Sequence, residues 1–337
     1  MQFIKKHIGP IYISLMTVVI AVWLICSDEL HDVVRMLEHL DRRYVCAAAG
    51  CILLYLFLRV AALRFYIVRQ GYAISWRDAV CVTGTGQFYS AITPSASGGQ
   101  PMQVLRFRRM GVPVSVGTAC ISIKFVGFQA GFVVLGLVTA LFRLPFLNSQ
   151  LYGWRWLTCI GYVVNGGLCA LVLATIPRLG IVERIASAGI RLGAKLRLVK
   201  DQDAANRKFD QVFSEYRQAL LSLKRHPVDA AVLFLLSLLQ VLSYMSVVVC
   251  VYHAFRLTGC DWFTLLTVQL QLFVAAAFIP LPGSAGAQES GFVLFFHGIF
   301  PADGMTAAML LWRFFTYYFL LLAGFVMMAA GMGKKAN

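Results

Sequence analysis

Two side chains carry the clearest chemistry in this chain. Glu289 is the only acidic residue between Asp261 and Asp303, and Arg313 interrupts the apolar run Met309-Leu310-Leu311-Trp312. Each charge costs about 2.5–3.5 kcal/mol near the centre of a membrane helix, so Glu289 is expected to pair with Arg313 or another intramembrane base and to line a polar cavity with it. Glu289 follows Pro282-Gly283-Ser284-Ala285-Gly286-Ala287-Gln288, which echoes Pro94-Ser95-Ala96-Ser97-Gly98-Gly99-Gln100 with Pro, Gly and Gln at the same spacing, 188 residues apart. Proline removes a donor and glycine loosens the backbone, so both cassettes break helices. A lipid-facing break would leave backbone groups without partners; it has to be enclosed or line a wet cavity. Paired breaks in corresponding halves are the mark of a transporter-like site.

The cassettes therefore nominate Pro94, Ser95, Gly98, Gly99, Gln100, Pro282, Gly283, Gly286, Gln288 and Glu289 as headgroup-binding residues, with Arg313 opposite. Helix starts after Gly98-Gly99 and Gly286 present free N–H groups suited to phosphate. Arg106 in the run Arg106, Arg108, Arg109 and Lys124 inside an apolar stretch complete the candidates. Arg59, after a fifteen-residue uncharged stretch, either serves the same interior or snorkels towards Arg64. Glu289 has a plainer alternative role, capping the helix that begins near Gly286.

The elements that must position these residues are membrane spans. Of 337 residues 59% are hydrophobic and only 13% charged, with a mean hydropathy of +0.74, against roughly 25% charged in soluble domains. The chain reads as an all-α polytopic membrane protein with about six full transmembrane helices: 9–27, 44–68, 114–142, 155–176, 228–252 and 303–331. Residues 79–104 and 263–300 read as two re-entrant helical hairpins arranged as an inverted repeat. Three parts follow: a first transmembrane half 1–176, a basic cytoplasmic or interfacial helical insert 177–227 with eleven Lys/Arg against five Asp/Glu, and a second half 228–337. The insert either lies along inner headgroups or simply links the halves.

The net charge of +15 is concentrated between spans, which fits the positive-inside rule and anionic headgroups rather than nucleic acid. That rule puts both termini in the cytoplasm, Lys5-Lys6 at one and Lys334-Lys335 at the other. The nine cysteines and six histidines are scattered without metal-ligand spacing, so no metal or other cofactor is expected. A nucleotide-binding phosphate loop and a serine-hydrolase elbow are both missing from the sequence. Oligomeric state is not legible.

Thr93 to Pro101 with Leu105-Arg106 and Gly111-Val112, and Pro280 to Glu289 with Arg313 and Gly324, resemble the transmembrane region of the lysylphosphatidylglycerol synthase family, which includes the flippase half of the multiple peptide resistance factor. The resemblance implies a bacterial cell-membrane protein that moves anionic or aminoacylated phospholipid, such as lysyl-phosphatidylglycerol, between leaflets. It places Glu289 and Arg313 at the family's polar positions, while many relatives carry Glu where Gln100 stands. It also implies alternatives: a component of phosphatidylglycerol lysyltransferase acting with a separate aminoacyl-transferase, or a polyprenyl-phosphate transporter. Catalysis by this chain alone is not expected.

Overall fold

The computed structural model describes residues 40–93, 96–175, 202–276, 284 and 286–330. The expected first span (9–27), part of the insert, and both charged termini lie outside these residues, as do Pro94, Ser95, Pro282 and Gly283. What is described is helical: α1 (Arg42–Arg69), α2 (Trp76–Ile92), α3 (Gly99–Arg109), α4 (Val114–Phe142), α5 (Leu144–Gln150), α6 (Arg155–Thr175), α7 (Gln202–Arg225), α8 (Pro227–Met245), α9 (Val247–Ala254), α10 (Trp262–Ala276), α11 (Ala287–Phe295), α12 (Met305–Arg313), a π-helical turn (Phe314–Phe319) and α13 (Leu320–Ala329).

Among the described residues four stretches are long and apolar enough to cross a bilayer: Arg42–Arg69, Val114–Phe142, Pro227–Ala254 and Met305–Ala329. Their outward faces carry Leu53, Leu54, Phe57, Val134, Leu137, Leu141, Leu235, Leu322 and Val326, all exposed. Such apolar surface is stable only against lipid. Trp154, Trp156 and Trp262 are exposed near one end of the bundle and Trp76 at the other, as expected of aromatic side chains at membrane interfaces.

Sequence signals set the element ends. Asp41 opens α1 by accepting the Arg43 N–H at 2.9 Å, and Ser75 opens α2 by accepting the Asp78 N–H at 3.1 Å. Thr93 closes α2 in an extended conformation (φ −116°, ψ 145°), the geometry that a following proline imposes.

Among the described residues, two helix pairs flank the cassettes, α2 with α3 and α10 with α11. In the first, α3 folds back on α2: Gln103 Nε2 donates to the Val82 carbonyl at 3.1 Å, and Gly99 lies against Ser90 and the Gly86 carbonyl. In the second, Gly291 of α11 packs on Leu272 of α10. Close glycine contacts also seat α2 on α13, where Gly84 meets the Gly324 carbonyl and Gly324 meets the Phe88 N–H group. Small residues give lipid-embedded helices their tightest crossings.

The two ends of the bundle differ in their contacts. At the basic end, Arg77 of α2 donates to the Ala330 carbonyl at 2.7 Å, and Arg69 pairs with Asp229 at 2.9 Å. There α7 docks on the spans: Tyr66 donates to the Ala219 carbonyl at 2.9 Å, Gln70 to Ser222 at 2.7 Å, and Ser115 to Glu215 at 2.5 Å. With Phe213, Ala219 and Leu220 buried, this half of the insert is a packed helix rather than a loose linker.

At the opposite end the Asp41 N–H donates to the Ala254 carbonyl at 2.9 Å, and Gln150 donates to the Phe295 carbonyl at 3.1 Å. Arg143 pairs there with Asp261 at 2.8 Å. Partial burial alone would raise the Asp261 pKa. Hydrogen bonds from the Thr264 amide and hydroxyl, together with Arg143, hold it below the usual carboxylate range. The start of α2 thus lies at the basic end, and the end of α11 at the other.

Candidate functional site

The second break is organised by Glu289. One carboxylate oxygen accepts the Gly286 N–H at 2.6 Å and the other meets Arg313 Nε at 2.7 Å. The capping role and the pairing role, alternatives in the sequence, are both filled, one by each oxygen. Arg313 is only 6% exposed, so its charge depends on this partner. Its guanidinium also lies 4.6 Å from the centre of the Tyr317 ring. Tyr317 donates to the Ala91 carbonyl at 3.1 Å, at the end of α2 and just ahead of the first cassette. A continuous path therefore runs from Gly286 through Glu289, Arg313 and Tyr317 to the tip of the first hairpin.

The two breaks share an unusual backbone. Ala96 and Ser284 occupy matching places in the cassettes, and both are left-handed, at φ 53° and φ 49°. Arg256 is the one other non-glycine residue with positive φ among the described residues. Such conformations are sparsely populated outside glycine and persist where the surroundings enforce them. At the first break the enforcement comes from Thr93, whose hydroxyl donates to the Tyr89 carbonyl at 2.6 Å and accepts the Gly98 N–H at 2.9 Å. The cassettes differ at their glycines: Gly98 has φ −78° and Gly286 has φ +84°. Helix starts fall at Gly99 and Ala287.

Other candidates are placed differently. Gln100 is exposed, whereas Gln103 one turn later is buried and holds the two arms of the hairpin together. Gln288 is buried, and its Oε1 has no hydrogen-bond partner among the described residues. Arg106 lies beside Cys81 of α2, away from the Glu289 pair. Arg59 does not snorkel towards Arg64: its guanidinium turns back to the Tyr55 hydroxyl at 2.9 Å and to Gln87 Oε1. Lys124 donates to the Arg59 carbonyl at 2.9 Å.

Tyr244 connects this cluster to Arg313. Its ring lies 5.0 Å from that of Tyr55, its hydroxyl donates to the Thr316 carbonyl at 3.2 Å, and it feels the charges of both Arg59 and Arg313. Tyr55, Gln87, Tyr244 and Tyr317 escaped sequence reasoning. Nothing separates a tyrosine in an apolar run from core; the one signal available was that Tyr55 and Tyr317 stand four residues from Arg59 and Arg313, and Gln87 and Tyr244 had none. An open depression of about 650 Å³ lies at the opposite end, lined by Tyr252, Arg256, His297 and Met305 among others, and the Glu289–Arg313 pair takes no part in it. Among the described residues no group of three or more His, Cys, Asp or Glu is placed to hold a metal ion.

Comparison with known proteins places this arrangement. The sequence model for the lysylphosphatidylglycerol synthase TM region matches residues 11–324. The chain belongs to this family. It is also 25% identical over 272 residues to a UPF0104 membrane protein from Archaeoglobus fulgidus, a match covering 77% of each chain. The family match takes in both cassettes, Glu289 and Arg313. The chain is a multi-pass helical membrane protein of this family.

Proposed function

We propose that this protein moves a phospholipid with an anionic or aminoacylated headgroup between leaflets, the headgroup passing between the two hairpin tips. The observation that carries this reading is the buried Glu289–Arg313 pair, set at a helix break and tied through Tyr317 to the other break. A structural ion pair alone has no need of broken helices, which cost backbone hydrogen bonds at membrane depth. A headgroup path needs both polar walls and backbone that can part.

In this reading the basic end, with Arg69, Arg77, Arg106, Arg108 and Arg109, faces the cytoplasm, and the cassettes are the centres of inverted repeats. The family description makes lysyl-phosphatidylglycerol the first lipid to test. The headgroup-binding set is then Gly98, Gly99, Gln288, Glu289 and Arg313, with the cassette residues Pro94, Ser95, Pro282 and Gly283 shaping the breaks.

The experiment is reconstitution of the purified chain in liposomes, with leaflet exchange of labelled phosphatidylglycerol, lysyl-phosphatidylglycerol and phosphatidylcholine followed by an impermeant quencher. Exchange of the first or second above protein-free vesicles is expected, and its loss in Glu289→Gln. No exchange of any lipid overturns the reading. Exchange of polyprenyl phosphate alone moves it to a lipid-carrier transporter.

A further inference from the structure

Among the described residues the interior holds more positive charge than it balances. Arg313 has Glu289, but Arg59 and Lys124 have no carboxylate partner among the described residues. Arg59 is ten residues from the α1 end at Arg69, and Lys124 ten residues from the α4 start at Val114. At 1.5 Å per residue both sit about 15 Å from the basic end, near mid-bilayer.

Their hydrogen bonding is incomplete. Arg59 spends Nη1 on Tyr55 and Gln87, and among the described residues no acceptor is present for Nε or Nη2. These atoms are not sealed in the protein, because none belongs to the buried unsatisfied set and the residue is only half-buried. Lys124, also half-buried, has three donors and one acceptor, the Arg59 carbonyl. The Tyr55 hydroxyl accepts from Arg59 and keeps its own proton to donate. Two uncompensated cations inside a membrane, near enough for Lys124 to feel the charge of Arg59, are costly, and an oxyanion with several acceptor oxygens is the group that suits such donors.

We propose that Arg59 and Lys124, with Tyr55, form a phosphate-binding site at mid-bundle, separate from the Glu289–Arg313 pair and joined to it through Tyr244. The group bound is a phosphodiester of the carried lipid or a free phosphate; the lipid case rests on the translocase reading above. Arg59 supplies a forked contact and Lys124 a point charge, so the site selects the phosphate rather than the headgroup substituent.

The test is ligand-induced thermal stabilisation of the full chain in neutral detergent, with phosphatidylglycerol, diacylglycerol and millimolar inorganic phosphate as probes. Phosphatidylglycerol is expected to raise the unfolding temperature and diacylglycerol not to. Arg59→Gln and Lys124→Gln should each weaken the apparent affinity by about tenfold or more, and Lys124→Arg should retain it. A shift with inorganic phosphate but not with the lipid assigns the site to free phosphate. Equal shifts with diacylglycerol and phosphatidylglycerol, or wild-type affinity in both Gln variants, overturn the proposal. Each single variant removes few contacts, and the conservative Lys124→Arg controls for folding. Binding that depends on Arg59 and Lys124 in a chain that exchanges no lipid would leave this site standing without the translocase. Exchange with phosphate binding unaltered in the variants would do the reverse.

Discussion

Splitting the two jobs of Glu289 gives the sharpest test of the site. The Arg313 side chain is 7% exposed and that of Glu289 17%, with 2.7 Å between them. Removing one member of a buried pair costs about 3–5 kcal/mol, because the other charge is stranded. Partial exposure of Glu289 and its second bond to Gly286 put this case at the low end, about 3 kcal/mol for Arg313→Met. Glu289→Gln keeps an acceptor for Gly286 and leaves Arg313 over the Tyr317 ring, which recovers some of the loss, so about 2 kcal/mol is expected. The double variant Glu289→Gln/Arg313→Met strands no charge and should cost about 2 kcal/mol, well short of the two single losses together. Glu289→Ala should cost about 1 kcal/mol more than Glu289→Gln, the value of the cap. Exchanging the charges between the two positions should rescue only in part, since an arginine at residue 289 opposes the start of α11. The assay is equilibrium unfolding in mixed micelles, read alongside leaflet exchange. Single losses that add within about 0.5 kcal/mol in the double variant would refute the coupling.

Gly99→Ala would place a Cβ 2.6 Å from the Gly86 carbonyl oxygen, and should destabilise by about 2–3 kcal/mol in the same unfolding assay. Ser90→Ala should rescue it only in part, because it removes the clash with the Ser90 hydroxyl and leaves the one with the Gly86 backbone; full rescue would mean that α2 and α3 are not packed as described. Thr93→Val removes both hydroxyl bonds at the first break and should cost about 1–2 kcal/mol, whereas Thr118→Val, which loses only an exposed bond to the Val114 carbonyl, should be near neutral. Wild-type stability in Thr93→Val would contradict the role given to that side chain. The Asp261 pKa lies below its unfolded value, so its contribution is complete above the unfolded pKa near 3.9 and is lost as pH falls through the folded value. Unfolding midpoints of wild type and Asp261→Asn should therefore converge on acidification below about pH 4; a constant gap would discount the Arg143–Asp261 clasp.

Residues of extreme type were legible in the sequence, and residues of ordinary type were not. The cassettes stand out because proline and glycine interrupt helices whatever surrounds them, and α3 and α11 start at Gly99 and Ala287, within them. Glu289 and Arg313 stand out because an apolar span makes any charge conspicuous, and they meet. The sequence could not tell Gln100 from Gln103, since rotation of a short helix decides which faces its partner. The direction of Arg59 was also open: snorkelling towards Arg64 and reaching back to Tyr55 use the same stem, and only Gln87 on a neighbouring helix breaks the tie. The spacing of Tyr317 from Arg313 hinted at their contact, but not at the bond to Ala91, which depends on where the end of α2 lies.

The spacing of Arg313 and Tyr317 has a consequence for how the chain tolerates change in length. One turn of the last span holds the second hairpin through Arg313 and the first through Tyr317. An inserted or deleted residue in α12 would swing both side chains about 100° around the helix and detach both tips together. The loop at 296–304 can absorb such an event before the helix begins, but the nine residues of α12 cannot. Length variation should therefore be absent from this turn and concentrated just ahead of it. Deletion scanning across 296–313 would reveal a sharp boundary near Met305.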